Sequence, residues 1–354
     1  MSNAPFLIVE EEFEIIEKKS FENRLEIVLG EPKKRDFKNA LSKVYRDLMR
    51  SGYYSMLRSE NRGLVLYVFR EEYRGERVLL LIALALITLL TVTISSLAFE
   101  NPEQTPRGFS WSILAYPLGL LVPLLVHELG HLLAMRARSV PSSLPYLLPA
   151  PPLQLGFLGT FGAVVNMRWL PATLEDLAFI ALAGPLAGLL VALPLAYIGV
   201  AQSTVLQPGE VVEGAEIPAV PLVFLLLLAT LDVPEGSVIV LSPMAFATMI
   251  FLFVTFLNLI PVGMLDGGHV VRALLGERLH RYVGLTVIGL VALIAIAYPI
   301  FFVYLLVLIL LYTLSRGRHP GSSYGIEIES HYSRVIVALV YATLLILTLP
   351  VPIA

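Results

Sequence analysis

The chain has 354 residues, of which 56% are hydrophobic and only 15% carry a charge. Soluble domains carry about 25% charged residues, so this composition indicates a protein with several membrane-spanning helices. The net charge is −3, and because there is no basic arm or RNA-binding motif we expect no nucleic-acid partner. The chain has no cysteine, which excludes disulfides and thiolate ligands, so any metal ion must be held by nitrogen and oxygen atoms.

The first 77 residues predict a small soluble α+β domain with the order β-α-β-β. Arg24 to Leu29 alternates like a strand, and Phe37 to Met49 has the apolar spacing of an amphipathic helix. Tyr53 to Leu57 and Gly63 to Phe69 are typical of a hairpin. The polar, acidic start of the chain predicts neither a cleavable signal peptide nor a transit peptide. The domain carries no recognisable chemistry, so we expect a plain folded appendage, with a regulatory or docking role as the alternative.

Seven apolar spans are predicted after this domain, since about 20 apolar residues cross a bilayer core. Pro299 divides one long run into a hairpin of two short helices. In chain order the runs are Val78 to Phe99, Ser110 to Met135, Asp176 to Val200, Leu241 to Leu265, Tyr282 to Leu314 (two spans) and Val335 to Val351. Pro221 to Leu231 is too short to cross and is expected to be re-entrant or to lie on the surface. Small residues from Ala183 to Gly188 predict close helix packing in the third span.

Arginines at the ends of the spans predict their orientation. Residues 201 to 240 contain no lysine or arginine, whereas arginines collect on the opposite ends of the spans. The positive-inside rule then places the amino terminus in the cytosol and the carboxyl terminus outside. The arginines that support this orientation are Arg74, Arg77, Arg136, Arg138, Arg272, Arg278, Arg281, Arg316 and Arg318.

Ionisable residues interrupt the second span at the sequence His-Glu-Leu-Gly-His, residues 127 to 131. Ionisable groups inside a membrane are costly and are usually functional. Because four residues make slightly more than one helical turn, His127 and His131 share one face. Two imidazoles at this spacing are typical of a zinc site, with Glu128 beside them as general base. The alternative is a pair of buried histidines that bond only to neighbouring helices.

The segment between the second and third spans, Val140 to Leu170, is rich in proline and glycine. Its central part, Leu155 to Val165, is too apolar for a cytosolic loop. Irregular backbone at membrane depth must pack against protein or line a cavity, so we expect a re-entrant β-hairpin beside the zinc site. An exposed edge of this hairpin would be available to pair with an extended peptide. The alternative is a loop that simply fills the helix bundle.

A catalytic zinc ion usually has three protein ligands, and Asp266, after the fourth span, is the best candidate for the third. Alternatively, Asp266 only caps the short helix that follows it, and Glu175 and Asp176 are rival ligands at a span boundary. Asn258 lies about two turns from Asp266, where its amide either donates to a substrate carbonyl or bonds a neighbouring helix. His269 either supports a ligand or is simply an interfacial histidine.

Three motifs in this order resemble the site-2 protease family of intramembrane zinc metalloproteases, in the branch without a PDZ domain. They are His-Glu-Leu-Gly-His in the second span, Ala-Gly-Pro-Leu-Ala-Gly in the third and Asn-x-x-Pro-x-x-x-Leu-Asp-Gly-Gly in the fourth. Gly159 to Ala163 and the ending Arg318-His319-Pro320 are closest to archaeal, bacterial and chloroplast members. The likeness covers residues 78 to 320, so we divide the chain into domains 1–77, 78–320 and 321–354, the last with an extra span.

The resemblance implies an activity and a set of site residues. The implied activity is the cleavage of transmembrane segments of membrane-protein substrates within the lipid bilayer of a prokaryotic plasma membrane, near its cytosolic side. The implied residues are His127, His131 and Asp266 as ligands of one Zn²⁺ ion per chain, Glu128 as general base, and Asn258, Gly159, Thr160, Phe161 and Gly162 as substrate-binding residues. The competing hypothesis is a non-catalytic zinc-binding transporter or regulator. The spans show no inverted repeat of the kind found in many transporters, which argues against this hypothesis. The sequence predicts neither the substrate nor the oligomeric state.

Overall fold

An amino-terminal α+β region packs against a bundle of apolar helices. The computed structural model describes residues 3–70, 75–99, 112–207, 217, 219–297 and 301–353. The amino-terminal elements are α1 Ala4–Glu12, β1 Phe13–Ser20, β2 Arg24–Pro32, α2 Phe37–Arg50, β3 Tyr53–Glu60 and β4 Gly63–Arg70. The four strands form one antiparallel sheet in the order β1-β2-β4-β3.

The predicted order β-α-β-β matches β2, α2, β3 and β4 but omits α1 and β1. Helix α2 buries the apolar face that its spacing predicts, and Asp36 caps its first turn by accepting a hydrogen bond from the Asn39 amide. Strand β1 was missed because it is a charged edge strand whose residues are mostly exposed, including Ile16. Only Phe13 and Ile15 alternate towards the core before the charged residues begin, which is too short a pattern to identify a strand.

The remaining elements form the bundle and its connections. In chain order they are α3 Val78–Ser96, α4 Ser112–Ala137, β5 Tyr146–Pro149, β6 Thr160–Val164, α5 Leu174–Ala201, β7 Thr204–Leu206, β8 Ala219–Pro221, α6 Leu222–Leu228, β9 Val238–Val240, α7 Pro243–Leu259, α8 Asp266–Ala297, α9 Phe302–Leu314, α10 His331–Thr348 and β10 Pro350–Pro352. Strand β7 pairs with β9, and β8 pairs with β10.

Five helices in the described part of the chain, α3, α4, α5, α8 and α10, are long and apolar enough to cross a membrane. Helices α7 and α9 are apolar but shorter. All seven overlap the predicted apolar runs. The ambiguous run from Pro221 to Leu231 contains α6, which has only seven residues. Pro299, on which the predicted hairpin was based, lies outside the described residues.

The fourth and fifth helices have different boundaries from those predicted. Helix α7 ends at Leu259 rather than Leu265, because the residue before a proline avoids the helical conformation, and Ile260 is extended before Pro261. Helix α8 begins at Asp266 rather than Tyr282 and bends at Gly276, whose φ of +79° lies outside the helical region. The short helix predicted after Asp266 is therefore the first part of α8.

Small residues allow α4, α5 and α7 to approach closely at the centre of the bundle. A Cβ atom added at Gly130 of α4 would lie 2.5 Å from the Ala183 carbonyl oxygen of α5. A Cβ atom added at Gly199 of α5 would lie 2.4 Å from the Ala245 amide nitrogen of α7. Close backbone approach of this kind is typical of helices packed in a membrane.

The predicted β-hairpin is present, formed by β5 and β6 as an antiparallel pair. Its connecting segment rests on α3, where the Thr91 hydroxyl donates to the Gly159 carbonyl oxygen at 2.6 Å. Gly159 has a φ of +79°, and an added Cβ atom would lie 2.8 Å from the Val92 Cα. A glycine is therefore required at this contact.

The amino-terminal region shares its hydrophobic core with two segments of the bundle. Ala172, just before α5, and Tyr324, between α9 and α10, are buried in that core. The Tyr45 hydroxyl donates to the Leu170 carbonyl oxygen at 2.8 Å, and the Leu57 amide donates to the Ser323 carbonyl oxygen at 3.1 Å. Burial raises the pKa of the Tyr324 hydroxyl above its ordinary value. The region is thus packed into the rest of the chain rather than simply attached to it.

Trp169 is a direct test of this packing. Its ring stacks on Tyr54 with centroids 4.7 Å apart, and its Nε1–H donates to the Ser55 carbonyl oxygen at 2.9 Å. We expect Trp169→Ala to destabilise the contact by up to about 3 kcal/mol, because the stacking and the hydrogen bond are both lost. Hydrogen–deuterium exchange of β3 should become faster, and Trp169→Phe should have a smaller effect. Unchanged exchange in the alanine variant would contradict this role.

Candidate metal centre

Two histidines and one aspartate meet between α4 and the start of α8. The Nε2 atoms of His127 and His131 are 3.1 Å apart, and Asp266 Oδ2 lies 3.3 Å from each of them. In the described part of the chain this is the only group of three or more histidine, aspartate or glutamate side chains close enough to share a metal ion. The structure thus brings the two histidines and the downstream aspartate together, as their spacing and order predict.

The donor set fits a zinc ion. Zinc bonds of about 2.0–2.2 Å at tetrahedral angles place the ligand atoms about 3.3–3.6 Å apart, close to the distances found here. His131 Nδ1 lies 2.9 Å from the Ile180 carbonyl oxygen, so Nδ1 carries the proton and Nε2 presents its lone pair. Asp266 Oδ2 is buried without a hydrogen-bond partner among the described residues. Buried polar atoms are normally paired, and a cation would satisfy this one.

Two glycines of α5 leave room for the histidine rings. A Cβ atom at Gly184 would lie 2.1 Å from His131 Nε2. A Cβ atom at Gly188 would lie 3.0 Å from the His127 Cβ and 2.7 Å from the Phe251 ring. The small residues of this motif therefore do more than bring two backbones together, which is all that the sequence had indicated.

Two further glycines position Asp266. A Cβ atom at Gly267 would lie 1.9 Å from the Leu259 carbonyl oxygen at the end of α7. A Cβ atom at Gly268 would lie 2.4 Å from the Gly263 carbonyl oxygen. The first turn of α8 thus packs directly against the end of α7. This packing directs the Asp266 carboxylate towards the histidines, so the residue does more than begin a helix.

Glu128 lies beside the three candidate metal ligands and contacts the hairpin. The side chain is buried, and its Oε2 accepts a hydrogen bond of 3.0 Å from the Val165 amide, directly after β6. A cavity of about 410 Å³ is lined by the three candidate ligands, Glu128, Asn258 and residues 163–167. One wall of the cavity is therefore the end of β6 and the extended chain that follows it.

The four hairpin residues expected to bind substrate lie outside the lining of the cavity. Gly159, Thr160, Phe161 and Gly162 do not line the cavity, whereas residues 163–167 do. The Thr160 hydroxyl donates to the Leu148 carbonyl oxygen inside the hairpin, and the Phe161 ring is 67% exposed. Gly159 directly precedes β6 and the other three residues begin it, whereas the end of β6 reaches the cavity.

The rival ligands Glu175 and Asp176 have other partners. Glu175 pairs with Lys38 of α2 at 3.2 Å. The Asp176 amide donates to the Thr173 hydroxyl, which caps α5, and the Asp176 carboxylate pairs with Arg138 at 3.1 Å. Both residues serve the start of α5, and neither belongs to the metal site.

Sequence reasoning missed two other groups at the cavity. His319, after α9, lines the cavity and has its Nε2 2.6 Å from His269 Nδ1. The only signal in the sequence was the ending Arg318-His319-Pro320. The Val165 amide gave no signal, because a backbone group is the same in every residue except proline.

Gly184→Ala tests the room that α5 leaves for His131. The added methyl group overlaps the imidazole, so the ring must move and zinc affinity should fall at least about tenfold. Metal analysis after equilibration with buffered zinc measures this change. Gly289→Ala is a matched control, because an added Cβ atom on that glycine of α8 has no atom within 4 Å. Equal zinc affinity in both variants would contradict the interpretation.

Comparisons with known proteins identify the family of this chain. The model of peptidase family M50 matches residues 115–302, more than half of the chain. A probable chloroplastic zinc metalloprotease EGY2 from Oryza sativa subsp. indica is 30% identical over 237 residues, covering 64% of this chain and 41% of the relative. EGY2 from Arabidopsis thaliana is 29% identical, covering 73% and 44%, and EGY1 from the same plant is 31% identical, covering 54% and 37%.

The chain spans about two fifths of the length of these relatives. No solved structure gives a significant match. The family match covers most of α4 and all of α8, the two helices whose residues meet at the candidate site. The chain therefore belongs to peptidase family M50, a family of zinc metalloproteases.

Proposed function

We propose that this protein is an intramembrane zinc metalloprotease that cleaves transmembrane segments of membrane proteins. The observation that carries the proposal is the position of Glu128, which lies beside the metal ligands and also contacts the end of a β-strand. A base, a metal site and an extended segment that could pair with a peptide thus adjoin one cavity. A zinc-binding transporter or regulator has no need of the base.

Seven spans and a re-entrant hairpin are part of this proposal. Helices α7 and α9 have 17 and 13 residues, so they cross only where neighbouring helices or a thinner bilayer compensate. His127 lies ten residues before the end of α4 at Ala137, about 15 Å along the helix. The arginines at that end support a cytosolic entrance, an amino terminus in the cytosol and a carboxyl terminus outside.

The substrate is proposed to bind as an extended strand beside β6. Strand β5 pairs with one edge of β6. The other edge begins near Gly159–Gly162 and ends next to Val165, which lines the cavity. Paired strands lie about 4.8 Å apart, which would bring a peptide on this edge close to Glu128. A transmembrane helix must unwind before it is cut, and pairing with β6 would replace part of its lost hydrogen bonds.

The chemistry follows from the residues at the cavity. One zinc ion per chain, held by His127, His131 and Asp266, would supply the Lewis acidity that makes water reactive near neutral pH. Glu128 accepts a proton as water adds to the scissile carbonyl carbon, and it returns that proton to the amine nitrogen when the C–N bond breaks. Asn258 lines the cavity, and in this proposal its amide N–H donates to the carbonyl oxygen. The Val165 amide orients the Glu128 carboxylate.

Glu128→Gln and His127→Ala separate catalysis from metal binding. Glutamine keeps the shape of the side chain but cannot accept a proton, so cleavage should fall at least about a hundredfold while zinc content is unchanged. His127→Ala should lose both, because a ligand is removed. The assay is mass spectrometry of single-pass transmembrane peptides reconstituted with the full chain in lipid vesicles.

Two outcomes of this assay would contradict the proposal. If Glu128→Gln cleaved at the wild-type rate, Glu128 would not be the base. If the wild-type protein bound zinc but cleaved no peptide of a broad transmembrane panel, the transporter or regulator hypothesis would replace the protease.

A further inference from the structure

Two histidines outside the ligand set lie at the same cavity. His269 is on α8, three residues after Asp266, so the two side chains are neighbours on one helix face with Cβ atoms about 5–6 Å apart. His319 lies between α9 and α10 and is only 2% exposed. His269 Nδ1 and His319 Nε2 are 2.6 Å apart, and both residues line the cavity.

Hydrogen bonds determine the tautomer of His319. The Gly321 backbone N–H donates to His319 Nδ1 at 3.0 Å. An amide nitrogen has no lone pair to offer, so His319 Nδ1 must be the acceptor and carries no proton. The ring is therefore neutral, with its proton on Nε2. Burial lowers the pKa of His319, which agrees with a neutral ring.

The tautomer of His269 follows from that of His319. His319 Nε2–H donates to His269 Nδ1, so His269 Nδ1 is an acceptor and the ring is also neutral, with its proton on Nε2. Within the described residues His269 Nε2 has no hydrogen-bond partner. The side chain is only partly buried and lines the cavity. The hydrogen bonds from Gly321 to His319 and from His319 to His269 thus leave the Nε2–H of His269 free to bind a ligand.

We propose that His269 is a catalytic residue whose Nε2–H donates a hydrogen bond to the scissile carbonyl oxygen as negative charge develops on it. His319 is a positioning residue that holds His269 in this tautomer. The inference rests on the proposed protease function. The donor is neutral, so it does not repel a cation held by Asp266, and no proton is transferred. It would act together with Asn258 in stabilising the oxyanion.

Variants of His269 in the full-length protein test its catalytic role. Removing one donor to an oxyanion lowers kcat by about 10²–10³, so we expect a loss of this size in His269→Ala. KM should stay within about threefold, because the contact forms in the transition state. Zinc content should be unchanged, because His269 is not one of the proposed ligands. His269→Gln keeps an N–H donor at a similar reach and should recover at least about tenfold of the lost kcat. The assay uses transmembrane peptides in lipid vesicles.

His280→Ala is the matched control. The His280 ring lies 5.3 Å from that of His319, but His280 does not line the cavity. This variant should keep kcat within about threefold of the wild-type value. The proposal is wrong if His269→Ala keeps the wild-type kcat, if it loses zinc, or if His280→Ala loses as much activity as His269→Ala.

A measurement without cleavage tests the tautomers directly. The chain has six histidines, and ¹⁵N labelling of their rings in the zinc-free protein distinguishes protonated from unprotonated nitrogens. We expect Nε2–H on both His269 and His319, and loss of the fixed His269 tautomer in His319→Ala together with lower kcat at unchanged KM. A proton on His269 Nδ1 would overturn the proposal.

The two proposals fail in different ways. Wild-type protein that binds zinc without cleaving any peptide would contradict the protease function. Active wild-type protein with an unimpaired His269→Ala variant would contradict only the role of His269.

Discussion

The site depends on an unpaired carboxylate oxygen opposite two imidazole nitrogens in an apolar bundle. Asp266 Oδ2 lies 3.3 Å from both Nε2 atoms and has no hydrogen-bond partner in the described part of the chain. Buried acceptors facing each other are unfavourable unless a proton or a cation lies between them. Much of the surrounding structure positions the Asp266 carboxylate and the two imidazole rings. Gly184 leaves room for one ring, and Gly267 lets α8 approach α7 closely enough to deliver the carboxylate.

Local spacing explains why the sequence predicted so much of the site. His127 and His131 share a face because the segment is helical, whatever the rest of the fold does. The amphipathic α2, the apolar helices and the hairpin were also predictable, since each depends on periodicity or on proline and glycine content. The prediction for Asp266 rested on more than spacing. Residue type and position left open that it is only a helix cap, and the family resemblance is what implied a ligand role.

Contacts between distant segments explain what the sequence did not predict. Strand β1 is a charged edge strand whose apolar alternation is limited to Phe13 and Ile15. The end of α7 moved from Leu265 to Leu259, because Pro261 stops the helix even though the apolar run continues. The Val165 amide and the His269–His319 pair are recognisable only when the fold brings residues 37 or 50 positions apart together. A single sequence records neither.

The packing of the amino-terminal region has a thermodynamic consequence for the cavity. Its core encloses Ala172 and Tyr324, which lie a few residues from the Val165 wall and from His319. Loss of order in the region would remove contacts from the segments that lead to Val165 and to His319. We therefore expect the order of the region to be coupled to the order of these two cavity walls. If substrate also binds more tightly when the walls are ordered, a molecule that prefers the ordered region strengthens substrate binding by the coupling free energy. Substrate then strengthens the binding of that molecule by the same amount.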